Sequence, residues 1–322
     1  MSSEATALAP TEGPLATRDL GPAVPWRTAL DAFLTARVDS DRTRQNYRRY
    51  ISEALERIGR EILADVTGMD LAAYRAELLT DGRAPGTHAL AVAALRSFLS
   101  WCRLPHVGAC TLSRDTIEEA LRMPRAKVKR PFQVLTDPEL REALAASPTA
   151  RDRALVGLLA ATGLRVSELV GLDVGDVREG EDGNGMVHVR AGKGNKDRLV
   201  PIKADALGLV RAYLGETGRT LTADGALFRS HDRGAGKRDR RRMTARAAQN
   251  VVADVMRRVG VTGKRISPHS LRHGYALRYL RNGGNVVALA RIMGHASIET
   301  TRRYCDHLEV ADLAESVPAL PV

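Results

Sequence analysis

Apolar residues recur at helical spacing through most of this chain. Trp26, Leu30, Phe33 and Leu34 open one run after Pro25, and Tyr47, Tyr50, Ile51 and Leu55 mark a second, with Asp41 or Thr43 as its cap. A third helix is predicted from Met69 to Leu79, stopped by Thr80-Asp81-Gly82. A fourth covers Thr87 to Cys102 with Leu90, Val92, Leu95, Phe98 and Leu99 toward its buried side. Further on, Thr136 or Asp137 caps a helix through Leu144, Asp152 to Ala161 form an apolar helix ending at Gly163, and a short one follows from Val166 to Leu172. There the period changes. Met186 to Arg190 and Arg198 to Ile202 read as strands around a Gly- and Lys-rich turn. Helices return at Ala204 to Leu214, Ala245 to Val259, Leu271 to Arg281, Val286 to Met293 and Glu299 to Tyr304. The expected fold class is mainly α with a small antiparallel β-sheet.

Between these patterned stretches lie segments of another kind. Residues 1–23 are rich in Ala, Pro, Gly and Thr without periodicity and read as a disordered lead-in. Residues 24–120 form a helical unit. Residues 121–133, beginning LRMPRAKVKRP, carry two prolines and five Lys/Arg and read as an extended basic linker, with Lys127, Lys129 and Arg130 placed to meet a polyanion. Residues 134–322 form the second unit. It holds another basic stretch, RSHDRGAGKRDRRR, in which Lys237, Arg238, Arg240, Arg241 and Arg242 are candidate phosphate contacts.

With 322 residues, the chain has room for two domains of ordinary size, and 44% apolar residues fit a folded globular protein. A net charge of +11 favours a nucleic-acid partner. Three cysteines offer neither a paired framework nor CxxC metal spacing, as expected of a reducing compartment. No apolar run approaches the roughly 20 residues of a membrane span, and the first residues lack the pattern of a signal peptide. A cytoplasmic protein working on DNA is expected, with no membrane partner.

The candidate chemistry lies in a spaced set of cations that ends in a phenol: Arg165, Lys193, His269, Arg272 and His295, followed nine residues later by Tyr304. Guanidiniums match phosphate oxygens bidentately and keep their charge. Fixed positive donors around the nonbridging oxygens of a phosphodiester stabilise the charge that develops there on attack. Tyrosine is a covalent nucleophile, and a lysine in a cationic site is a general acid for the leaving sugar oxygen. No carboxylate cluster for Mg²⁺ accompanies the set, and His269 with His273 lacks the glutamate of an HExxH zinc site. The expected reaction is metal-free attack of a tyrosine on DNA, with no cofactor.

These residues stand in motifs that resemble the tyrosine recombinase (phage integrase) family, and its Xer-like members most. TGLRVSEL carries Arg165, GKGNKDRLVP carries Lys193 and Lys196, His269 to His273 match HxLRH, Met293-Gly294-His295 match the LGH box, and Thr300 to Tyr304 match the nucleophile motif. Met293 departs from the usual leucine, a nearly isosteric change. The resemblance covers about residues 135 to 310, and more loosely the helical unit from 25 to 120.

It implies a SAM-like core-binding domain and an α+β catalytic domain. Arg165, His269, Arg272 and His295 would hold the scissile phosphate, with Glu168 supporting the arginine. Lys193 would protonate the 5′-oxygen and Tyr304 would form a 3′-phosphotyrosyl bond. Double-stranded DNA with an inverted-repeat core site is the expected partner, with a synaptic tetramer on that DNA, and Leu308, Val310, Leu313 and Val317 give a short partly apolar segment expected to exchange between subunits. Two other functions share some of these features: a type IB topoisomerase-like relaxase, and a DNA-binding accessory protein with a dead site.

Overall fold

The computed structural model describes residues 20–124, 132–190, 197–230, 242–261 and 266–308. Two compact units divide the chain, Met1–Val128 and Lys129–Val322.

In the first unit five helices, α1 (Trp26–Arg37), α2 (Asp41–Ile58), α3 (Gly68–Thr80), α4 (Pro85–Cys102) and α5 (Arg114–Ala120), surround a core of Trp26, Leu30, Phe33, Ile51, Leu55, Leu71, Leu95 and Phe98. Thr67 and Asp70 close a reciprocal capping box at the start of α3, which satisfies N–H groups that the helix leaves orphaned. Position Ser40, not Asp41 or Thr43, stands at the N-cap of α2. Pro85 opens α4 two residues ahead of the expected start, since a ring locked in φ suits a first helical position. Leu90 corrects the expected pattern: it is 59% exposed, on the face of α4 opposite Val92, Leu95 and Leu99. The short α5 went unseen because only Ile117 among its residues is buried, too few for a periodic signal. Leu20 packs against this core and Leu121 lies fully within it, so ordered packing reaches into both segments read as irregular.

The second unit begins with α6 (Asp137–Ala145), α7 (Ala150–Thr162) and α8 (Val166–Gly171). Thr136 caps α6 through a box with Glu139, and Thr149 caps α7 through the Asp152 N–H. A three-stranded antiparallel sheet follows, in the order β1 (Val177–Glu179), β2 (Gly185–Val189), β3 (Arg198–Ile202). Val177 faces Val187, which faces Val200, so one side of the sheet presents valines to the core while Met186 and Leu199 point to solvent. The three-residue β1 is below the length at which alternation is readable. The helices α9 (Ala204–Glu216), α10 (Ala245–Val259), α11 (Pro268–Arg281), α12 (Val286–Met293) and α13 (Ile298–Cys305) complete the unit. Its main core joins α7, α9, α10 and the sheet. A smaller cluster of Ala276, Leu277, Leu280, Leu289, Met293 and Tyr304 joins α11, α12 and α13.

Candidate active site

Three consecutive carbonyls at the end of α12 organise the site. A helix leaves its last carbonyls without intrahelical partners and concentrates partial negative charge there. Here each takes a different guanidinium. Arg198 Nε donates to Ile292 O at 2.7 Å, Arg272 Nη2 to Met293 O at 2.7 Å, and Arg165 Nη2 to Gly294 O at 3.2 Å. Residues 107 positions apart in sequence, Arg165 and Arg272, are thereby brought to one point. Gly294 makes this possible: it caps α12 at φ +62°, and a Cβ there would lie 2.9 Å from Arg198 Nη1.

Glu168 is the counter-charge. Its carboxylate accepts from the Arg165 backbone N–H at 2.8 Å and Arg165 Nη1 at 2.9 Å, and in a fork from Arg198 Nη1 at 3.1 Å and Nη2 at 2.8 Å. Burial alone would raise this carboxyl, but the hydrogen bonds and charge of Arg198 and Arg165 hold it below its ordinary range. Arg272 sits deepest, 3% exposed, on α11; it also donates to Gly163 O at the αL cap of α7. Desolvation, then the charge of Arg165, pushes its guanidinium down to about 10, so it stays a cation at neutral pH. Arg165 is partly open to solvent, where an incoming phosphate would meet it.

His295 follows the αL glycine. Arginine only donates, so the 3.0 Å contact from Arg272 Nη2 makes His295 Nε2 an acceptor. Its proton then lies on Nδ1, which donates to the buried Thr301 hydroxyl at 2.7 Å. Desolvation and the neighbouring arginines, Arg272 first, depress this ring to about 4 and keep it neutral. His269 is at the first turn of α11, and desolvation and Arg272 shift it down as well. Tyr304, on α13, is 3% exposed, with its ring parallel to His295 at 6.4 Å. Burial raises its hydroxyl while Arg272, Arg303 and Arg165 oppose that. The hydroxyl meets His273 Nδ1 at 2.8 Å, and Phe132 covers both rings, stacked on His273 at 4.1 Å and tilted over Tyr304 at 5.2 Å.

Arg165, Glu168, Arg272, His295 and Tyr304 therefore converge, with His269 one turn from Arg272. Lys193 and Lys196 lie outside the described residues; the strands on either side are paired through Val189 and Arg198, so this connection joins adjacent strand ends. Lys127, Lys129, Arg130, Lys237, Arg238, Arg240 and Arg241 are also outside them. Arg242 lies at the edge of the described residues and is partly open to solvent. Its guanidinium donates to Val170 O and Leu172 O at 2.9 and 2.8 Å and pairs with Asp173, which ties it to the end of α8. Arg229 and Arg242 form a bridge, so the basic segment between them leaves and returns at one place.

Sequence reasoning missed Arg198, Thr301, Phe132 and the pairing of His273. Arg198 and His273 stood inside the quoted motifs, but only the tertiary contacts reveal what they touch. Among the described residues no group of three or more His, Cys, Asp or Glu side chains is arranged to hold a metal ion, and no helix is long and apolar enough to cross a membrane.

The Tyr304 hydroxyl thus lies in a cluster that also holds two guanidiniums and a neutral imidazole. The model of the phage integrase family matches residues 133–310, and the chain belongs to that family. Within it the chain is Xer-like, a tyrosine-type site-specific recombinase. It is 35% identical over 298 residues to the tyrosine recombinase XerC of Azotobacter vinelandii, covering 88% of this chain and 93% of the relative. Identity to the tyrosine recombinase XerD of Halalkalibacterium halodurans is 33% over 256 residues, 74% of this chain and 77% of that one. The fold is shared with a lambda integrase tetramer solved on a Holliday junction, with a TM-score of 0.64 at 18% identity, over 88% of this chain and 77% of the other.

Proposed function

We propose that this recombinase cleaves and rejoins double-stranded DNA through a 3′-phosphotyrosyl bond at Tyr304. The observation that carries this reading is the convergence of Arg165, Arg272 and His295 on the end of α12, beside the buried Tyr304 ring. The scissile phosphate sits against Arg165 and Arg272, with His269 as a further ligand and His295 holding the Arg272 guanidinium in place. The two guanidiniums are fixed before the substrate arrives, so the transition-state charge meets donors that need no reorganisation. Tyr304 Oη attacks phosphorus, and Lys193, carried between β2 and β3, gives a proton to the 5′-oxygen. A second strand's 5′-hydroxyl reverses the step. Each bond broken is matched by one formed, and neither metal nor ATP takes part.

The protein acts as a tetramer on two duplexes with inverted-repeat core sites, in the cytoplasm, and its C-terminal segment packs on a neighbouring subunit. The lambda integrase tetramer on a Holliday junction supports this assembly for a chain of the same fold. Lys127, Lys129, Arg130 and the segment containing Lys237 to Arg241 contact phosphates.

The test uses a pool of nicked duplexes from which the short fragment bearing the freed 5′-hydroxyl diffuses away, trapping the protein on DNA. Wild type is expected to yield a covalent adduct whose sequenced DNA defines the core site, and Tyr304→Phe none. No adduct from the pool, or one that survives in Tyr304→Phe, would sink the mechanism.

A further inference from the structure

A buried phenol does not ionise unaided at neutral pH, since burial raises Tyr304 above its ordinary range. Its proton must pass to a group within hydrogen-bond reach as the bond to phosphorus forms. Among the described residues, the partner of the Tyr304 hydroxyl is His273 Nδ1, at 2.8 Å. In the tautomer with the imidazole's own proton on Nε2, the Tyr304 O–H donates and His273 Nδ1 accepts, which is the arrangement a proton transfer requires.

The ring is held firmly in this pose. Phe132 stacks on one side of it with centroids 4.1 Å apart and an interplanar angle of 25°, and the His269 ring meets it edge-on at 4.1 Å. Phe132 also touches Tyr304 and His307, so a single aromatic clamp fixes acceptor and nucleophile together.

From this geometry we infer that His273 is a further catalytic residue, the general base that takes the Tyr304 proton during cleavage. The inference rests on Tyr304 being the nucleophile. As the Oη–P bond forms, the Oη–H proton moves to His273 Nδ1; the P–O5′ bond breaks and O5′ receives its proton from Lys193. On rejoining, the attacking 5′-hydroxyl returns a proton to Lys193, and the departing phenolate recovers its own from His273.

The surroundings fit this role. His269 on α11 and Tyr304 on α13 touch the ring, and Arg272 on α11, Arg303 on α13 and His295 before α13 act on it through their charge. In the free protein desolvation, then His269 and the arginines, depress it to about 4, so its lone pair is available at neutral pH. A phosphodiester seated against Arg165 and Arg272 offsets those cations and makes the imidazolium easier to form just when the proton arrives.

His273→Asn is the discriminating variant. Its side-chain oxygen can occupy the Nδ1 position and accept the same hydrogen bond, but it cannot take the proton. With the nicked duplexes described above, the variant is expected to bind DNA as wild type does and to form the Tyr304 adduct about 100-fold or more slowly, the usual contribution of a general base. Its residual rate should climb with pH through the range where wild type is flat. His273→Ala, which serves if the asparagine variant does not fold, should be accelerated by added imidazole. Cleavage by His273→Asn within threefold of wild type, or His273→Ala indifferent to imidazole, would overturn the proposal. A wild-type adduct on Tyr304 together with a fast His273→Asn removes only the base; absence of any wild-type adduct removes the nucleophile itself.

Discussion

Arg198 shows how a residue in a recognised motif can act through its neighbours. It is the first residue of β3, its side chain is 9% exposed, and its fork spans Glu168 and the Ile292 carbonyl. It therefore links the strand that follows Lys193 to the helix end on which Arg165 and Arg272 converge. Arg198→Lys keeps the charge but loses the planar fork, leaving a Glu168 oxygen or the Ile292 carbonyl short of a donor. That variant should lose about 1–3 kcal/mol of stability in denaturant unfolding. Covalent adduct formation should fall at least tenfold with DNA affinity little changed; cleavage within threefold of wild type would reduce Arg198 to a purely structural residue. At this scale the motifs identified which residues gather, since Arg165, Glu168, Arg272, His295 and Tyr304 meet in space. Their partners were not legible, because a contact such as His273 to Tyr304 joins residues on different helices and leaves no local spacing. Arg242 illustrates the same point: a basic run looks uniform in sequence, yet one member of it donates to the carbonyls of Val170 and Leu172 at the end of α8.

Helix ends matter more to this site than helix bodies. Gly163 ends α7 at φ +62°, its carbonyl accepts from Arg272, and a Cβ at that position would lie 2.5 Å from Tyr275 Cδ1. Gly163→Ala meets both problems at once. The left-handed conformation costs about 1–2 kcal/mol for a residue with a Cβ, and crowding the Tyr275 ring adds about 1–3 kcal/mol. A loss of about 2–5 kcal/mol in urea unfolding is expected, and a loss below about 1 kcal/mol would show that the turn adapts freely. Elements with strong periodicity were legible: the sequence spans for α10, α12 and β3 coincide with the observed ones. Those that signal through one buried residue or three strand positions, α5 and β1, were not. Short elements are defined by what they pack on, and Leu90 failed for the same reason, since composition alone does not say which side of α4 is covered.

At the scale of the whole chain, a net charge of +11 sets attraction to polyanions, while a few imidazoles crowded by arginines at the site set how the folded state responds to acid. His273 and His295 are each depressed from 6.5 to about 4, mainly by desolvation and then by neighbouring cations, and His269 is lowered for the same reasons. Between about 4 and 6.5 the unfolded chain binds protons at these positions that the folded chain refuses, so stability rises with pH across that window. Their contribution is fully present above 6.5 and is lost as pH falls toward 4. Glu168, shifted below 4.5, adds its own loss only in still more acidic solution. The denaturation midpoint is therefore expected to drop from pH 7 to pH 5, before most carboxylates titrate. His295→Asn and His273→Asn each remove one suppressed protonation, so either variant should lose less stability over that interval than wild type does. If both variants lose as much as wild type, the acid sensitivity of the fold originates outside the site. If both curves flatten, the neutrality that leaves His273 free to accept a proton is maintained at a measurable cost to folding in acid.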